Sequence, residues 1–84
     1  MSTVTVYTRA GCHLCEAAIT TASRIAAETG SVVTTVDVDA DPEDQAEYGD
    51  LVPVILVDGR MHGYHRVDPE RLRAALAAGP AARS

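Results

Sequence analysis

The chain has 84 residues, 46% of them hydrophobic and 23% charged, which suits one domain with a small core. Its net charge is −5 and all seven basic residues are arginine, so there is no basic stripe for nucleic acid, and no segment approaches the roughly 20 apolar residues of a membrane helix. The start Met1-Ser2-Thr3-Val4 lacks the basic and apolar regions of a secretory signal; a cytoplasmic protein is expected, a setting in which a permanent structural disulfide is not.

In chain order, Val4 and Val6 alternate with Thr3, Thr5 and Tyr7, so residues 3–8 read as a first strand. Arg9-Ala10-Gly11 is a short turn, and a helix is expected from about Cys12. At about 100° per residue, Leu14, Cys15, Ala18, Ile19, Ala22, Ile25 and Ala26 gather on one apolar arc. That small-residue face suits close packing on a sheet, and Gly30 is the stop signal. A second strand follows over Val32 to Val38. A helical crossover of this length between two strands makes a β-α-β unit with parallel pairing.

Asp41 and Pro42 form a cap and first position for a short helix over 42–48, ending at Gly49. Val54 to Val57 is apolar on both faces, as in an interior strand. Asp58-Gly59 is a two-residue hairpin turn, and Arg60 to Arg66 returns as a polar edge strand. Asp68-Pro69 starts a last helix with an inward stripe of Leu72, Ala75 and Leu76, stopped at Gly79-Pro80. The reading is one domain over residues 1–78 and a disordered tail over 79–84.

The chemistry concentrates in Gly11-Cys12-His13-Leu14-Cys15, which holds both cysteines of the chain. Two thiols with two residues between them at a helix start close a disulfide and reopen it by exchange. The helical arc makes them unequal: Cys15 lies within the apolar face and Cys12 on its edge. A thiolate at a helix N-terminus is favoured by free amides and the dipole, which brings such thiols to pKa values of about 3.5–7.5. A pair of inert core cysteines is the bland alternative, and the edge position of Cys12 argues against it. Metal is another: with His62 and His65 the cysteines make four formal ligands, but His-x-x-His falls short of the usual spacing, and on one strand those residues face opposite ways. No metal is therefore expected. The run Asp37-Val38-Asp39-Ala40-Asp41 fails as a calcium loop because Pro42 and Tyr48 stand where glycine and glutamate are needed.

Tyr7-Thr8-Arg9-Ala10-Gly11-Cys12-His13-Leu14-Cys15 resembles the opening of a glutaredoxin, with a basic residue three before the first cysteine. Val52-Pro53-Val54-Ile55-Leu56-Val57-Asp58-Gly59 resembles the second glutaredoxin signature, in which the Val-Pro bond is cis and faces the thiols. The middle, Val36-Asp37-Val38-Asp39 through Tyr48-Gly49, is closer to thioredoxins. The resemblance implies an α/β thioredoxin-like fold, a four-stranded mixed sheet flanked by about three helices. It further implies a dithiol–disulfide oxidoreductase with Cys12 as nucleophile and Cys15 as resolving thiol.

Substrate contacts are expected at Arg9, His13, Val52, Pro53, Tyr64 and Arg66, with Tyr7 either lining a groove or in the core. For Arg9 and His13 an ordinary surface position is the alternative, and for Pro53 a trans bond. Glutathione-using glutaredoxins carry Gly-Gly and then acidic residues after the hairpin. Gly63-Tyr64-His65-Arg66 departs from that pattern and instead resembles redoxins coupled to a reductase. The expected partners are disulfide-containing proteins and, as electron donor, thioredoxin reductase or a small thiol, glutathione being disfavoured; the chain is expected to act as a monomer. A non-catalytic redox-sensing module of the same fold, or a metal-binding module, is the alternative.

Overall fold

The computed structural model describes residues 2–78. Its strands are β1 (Thr3–Thr8), β2 (Val32–Asp37), β3 (Val54–Val57) and β4 (Arg60–Tyr64), and its helices α1 (His13–Thr29), α2 (Pro42–Tyr48) and α3 (Pro69–Ala78). The strands make one sheet in the order β2-β1-β3-β4. β1 is parallel to β2 and antiparallel to β3, and β3 is antiparallel to β4. This is the mixed sheet and helix complement expected from the sequence. No helix among the described residues is long and apolar enough to cross a membrane.

The alternation in β1 decides which face is core. Val4 and Val6 are fully buried, in one cluster with Ile55 and Val57 of β3, Ala22 and Ile25 of α1, and Leu72 and Leu76 of α3. The alanines at 18, 22 and 26 of α1 are at most 3% exposed, so the helix backbone approaches the sheet closely. Arg73 joins the two covering helices through Glu28, at 2.9 Å. The opposite face carries Tyr7, whose ring packs on Tyr48 of the short α2 at 4.6 Å between centroids. Tyr7 thus packs against α2, not in the main core.

The local stops are chemical. Gly30 takes φ 71°, the left-handed conformation that ends a helix, and its N–H bonds to Ala26 O. Asp58 and Gly59 both have positive φ, 50° and 84°, as a two-residue hairpin turn requires. The Asp58 carboxylate also accepts from Thr3 N at 2.9 Å, tying the hairpin to the start of β1.

Three expectations need correction. Leu14, placed on the apolar arc, is 51% exposed, because the first turn of α1 carries it clear of the core. β2 stops at Asp37, whose side chain accepts from Asp39 N and starts a single 3-10 turn, Val38–Ala40. β4 stops at Tyr64, not Arg66, because His65 takes a left-handed φ of 69° that bends the chain off the extended path, and Pro53 opposite it has no N–H to continue the ladder. The expected stop at Gly79-Pro80 and the tail over 79–84 lie outside the described residues.

Candidate active site

Gly11 at φ 75° and a bond from Cys12 N to Arg9 O at 3.3 Å fold the turn that delivers Cys12 to the start of α1. Cys12 is the N-cap, with extended backbone, and its sulfur accepts from Cys15 N at 3.1 Å. An amide donor aimed at a sulfur favours its charged form. Cys12 is half-buried while Cys15 is 2% exposed, so the predicted asymmetry of the thiols is present. Their sulfurs stand close to disulfide distance and their Cα atoms 5.2 Å apart, within the range a disulfide spans.

The two cysteines line a cavity of about 310 Å³ with Thr8, Arg9, Ala10, Gly11, Glu16, Ile19 and Asp37. Arg9 is fixed there rather than loose. It donates to both carboxylate oxygens of Asp39, at 3.2 and 3.1 Å, and Asp39 also accepts from Gln45 Nε2 at 2.9 Å. Gly49 closes the seat: a Cβ there would run into the Gln45 carbonyl and stand 3.1 Å from the Arg9 guanidinium. The bond from Arg9, then that from Gln45, holds the Asp39 carboxyl below the usual range, and Asp39 raises the Arg9 guanidinium in turn. On α2, by contrast, desolvation and then Asp41, Glu47 and Glu43 push the Asp44 carboxyl up.

The Val52-Pro53 bond is cis. His65 N donates to Pro53 O at 2.8 Å and Leu51 O at 3.3 Å, and its ring nitrogen lies 3.4 Å from Asp50 O. The bend after β4 and the proline loop are therefore one strapped unit. None of the hydrogen bonds outside the helices and strands among the described residues uses the backbone of Val52.

The remaining expected residues divide. His13 is exposed and lies 3.7 Å from Glu16. Tyr64 is 52% exposed, with its ring edge-on to His65 at 5.0 Å. Tyr64 and Arg66 line a different cavity from the cysteines, of about 400 Å³, with Met61, His62, Gly63, Asp68 and Arg71. Among the described residues no group of three or more His, Cys, Asp or Glu is gathered as for a metal. Sequence reasoning missed Asp37 and Glu16 beside the thiols, Asp39 behind Arg9, and Arg71 in the second cavity. Glu16 was accessible from helical spacing, four residues after Cys12; the Asp39 partnership spans 30 residues and left no local trace.

The sequence model described as "Glutaredoxin-like domain (DUF836)" matches residues 3–77. An uncharacterized protein of Mycobacterium bovis is 42% identical over 79 residues, covering 88% of this chain and 81% of that one. A counterpart in Mycobacterium tuberculosis matches to the same extent. Among solved structures, target protein XcR50 from X. campestris is similar at TM-score 0.75 and 35% identity, over 92% of this chain and 99% of that one. A mutant thioredoxin from Halobacterium salinarum shares the fold at TM-score 0.68 and 20% identity, over 92% of this chain and 73% of that one.

Proposed function

The chain belongs to the glutaredoxin-like domain family, and on that premise we propose that it is a dithiol–disulfide oxidoreductase. The single observation that carries the reading is the pair of unequal cysteines at the start of α1, Cys12 opening onto a cavity and Cys15 beneath it. In the reduced protein the Cys12 thiolate attacks one sulfur of a substrate disulfide. A Cys12–substrate disulfide forms, the substrate S–S bond breaks, and the departing sulfur leaves as thiolate and takes up a proton. Cys15 then loses its proton and attacks Cys12 Sγ, forming the Cys12–Cys15 disulfide and releasing the second substrate thiol. Two electrons pass from the dithiol to the substrate, and a reductase or small thiol returns them.

The helix start and the Cys15 amide stabilise the attacking thiolate. Arg9, fixed by Asp39, supplies a positive charge on the cavity wall. Val52, its backbone uncommitted beside the cis-proline, is suited to pair with the backbone of an extended substrate. Pro53 gives the loop its shape, His13 contacts the substrate beside the thiols, and Tyr64 and Arg66 contact it from the second cavity.

Thioredoxin reductase, rather than glutathione, is the proposed donor, because Tyr64-His65-Arg66 stand where glutathione-using relatives carry glycine and acids. The test is disulfide turnover with each donor in separate assays. Turnover with thioredoxin reductase, little with glutathione, and loss of turnover in Cys12→Ser is the expected result. Efficient turnover with glutathione overturns the donor assignment; full activity in Cys12→Ser overturns the mechanism.

A further inference from the structure

The arginines of this chain are unequally engaged. Arg9 is held by Asp39, and Arg73 by Glu28 and Glu70. The guanidinium groups of Arg66 and Arg71 make no hydrogen bond or ion pair among the described residues, yet both line the cavity of about 400 Å³ on β4. Arg71 is aimed across the strand: a Cβ on Gly63 would stand 3.6 Å from its Nη1. Asp68, the carboxylate on the same lining, already accepts from the amides of Glu70 and Arg71 at 3.1 and 3.2 Å as the cap of α3. Met61 and Tyr64 add exposed apolar surface, at 50% and 52%. Two uncommitted planar guanidiniums on a partly apolar hollow match carboxylates, which they receive bidentately.

The location fits a segment leading to the thiols. Tyr64 lies opposite Val54, and Val54 opposite Tyr7, in one row across the sheet, and β1 runs from Tyr7 into the turn that delivers Cys12. Two strand spacings place Tyr64 about 10 Å from Tyr7, the reach of roughly three extended residues. β4 is also a sheet edge, with backbone groups open to an added extended segment.

We propose that this hollow is the docking site for an acidic segment of the partner protein whose disulfide is exchanged at Cys12. The segment lies extended along β4, sets its carboxylates on Arg66 and Arg71 at the Tyr64 end, and then crosses the ends of β3 and β1, which brings its cysteine, roughly three to five residues on, to Cys12. The proposal rests on the exchange reading of Cys12 and adds to it the charge of the partner.

The test uses extended peptides whose cysteine is replaced by serine, so that they bind without exchanging. They carry Glu, Gln or Lys three to five residues from that serine. Binding to the oxidised full chain is read by fluorescence anisotropy. The Glu peptide is expected to bind about tenfold tighter than the Gln peptide, as two charge-assisted contacts warrant, with the Lys peptide weakest. The preference should shrink in about 0.5 M salt. Arg66→Gln with Arg71→Gln should erase it, and Arg66→Lys with Arg71→Lys should restore part of it. Equal binding of the Glu and Gln peptides, or a preference that survives the double glutamine variant, overturns the proposal. Failure of exchange is a separate result, read by whether the reduced protein reduces the cysteine-containing peptide disulfides.

Discussion

Cys12 and Cys15 share one helical turn but belong to two different regions of the molecule. Cys12 is on the rim: it caps α1, opens onto a cavity and stands among polar and charged side chains that include Arg9, Glu16 and Asp37. Cys15 is in the interior, 2% exposed, on the same helix face as Ala18, Ala22 and Ile25. The rim is built for exposure and charge, the interior for close packing. In the proposed exchange, burial sets the order of the two chemical steps: the accessible sulfur would meet the substrate, and the covered one would wait until a mixed disulfide is presented to it.

The largest expected effect lies in this contrast itself. In the reduced protein, iodoacetamide should modify Cys12 faster than Cys15 by about two orders of magnitude, since thiolate character and access both favour Cys12. Peptide mass mapping of the product resolves the two sites. Similar rates at both cysteines would show that the two thiols do not differ in access and charge.

The interior is tested next by removing volume. Ile25→Ala deletes a fully buried side chain and should cost about 2–5 kcal/mol of stability, a large part of the roughly 5–15 kcal/mol of a native domain. Denaturant unfolding measures it. Leu14→Ala, at the exposed position of the same helix, should cost far less, and an equal loss would show that Leu14 packs against the body of the protein.

That contrast also marks how far the sequence could be read. The alternation of Val4 and Val6, the glycine stop at Gly30, the Asp41-Pro42 start and the Asp58-Gly59 turn each act within a few residues, and each element followed. Leu14 was misplaced because periodicity assigns a helix face without saying how far the covering sheet extends. The early end of β4 comes from the left-handed backbone of His65 where it meets the Leu51–Pro53 segment, a contact between segments that no local pattern encodes. At the site, the cysteines and the cis-proline were legible from motif and resemblance. Asp39 as the partner of Arg9, and Arg71 beside Arg66, arise only once distant segments meet.

A smaller effect is expected from the charged seat on the rim. Asp39→Asn removes the carboxylate that fixes Arg9 and should lower disulfide turnover by about 2–10-fold, because positioning is lost rather than the nucleophile. Steady-state kinetics alongside a thermal unfolding curve distinguish the two, since an exposed ion pair contributes little to global stability. A collapse of the fold would assign Asp39 a structural role instead.

The smallest is the acid response. Arg9 depresses Asp39 and Arg73 depresses Glu28. A carboxyl depressed on folding stabilises the protein above its unfolded pKa, and that contribution is lost as pH falls through the folded value, here below about pH 4. Asp44, raised by desolvation and by its acidic neighbours, acts in the opposite sense, since its protonation on acidification favours the fold. The thermal midpoint should stay nearly level from pH 7 to 5 and decline below about pH 4; a steady rise into acid would contradict the Asp39 and Glu28 assignments.

Trapping the reaction intermediate separates the roles of rim and interior. Reduced Cys12→Ser and Cys15→Ser proteins are each mixed with a substrate disulfide, quenched with acid and weighed intact by mass spectrometry. A stable mixed disulfide at Cys12 is expected in the Cys15→Ser protein and almost none in the Cys12→Ser protein. Equal adduct formation at Cys15 would contradict it.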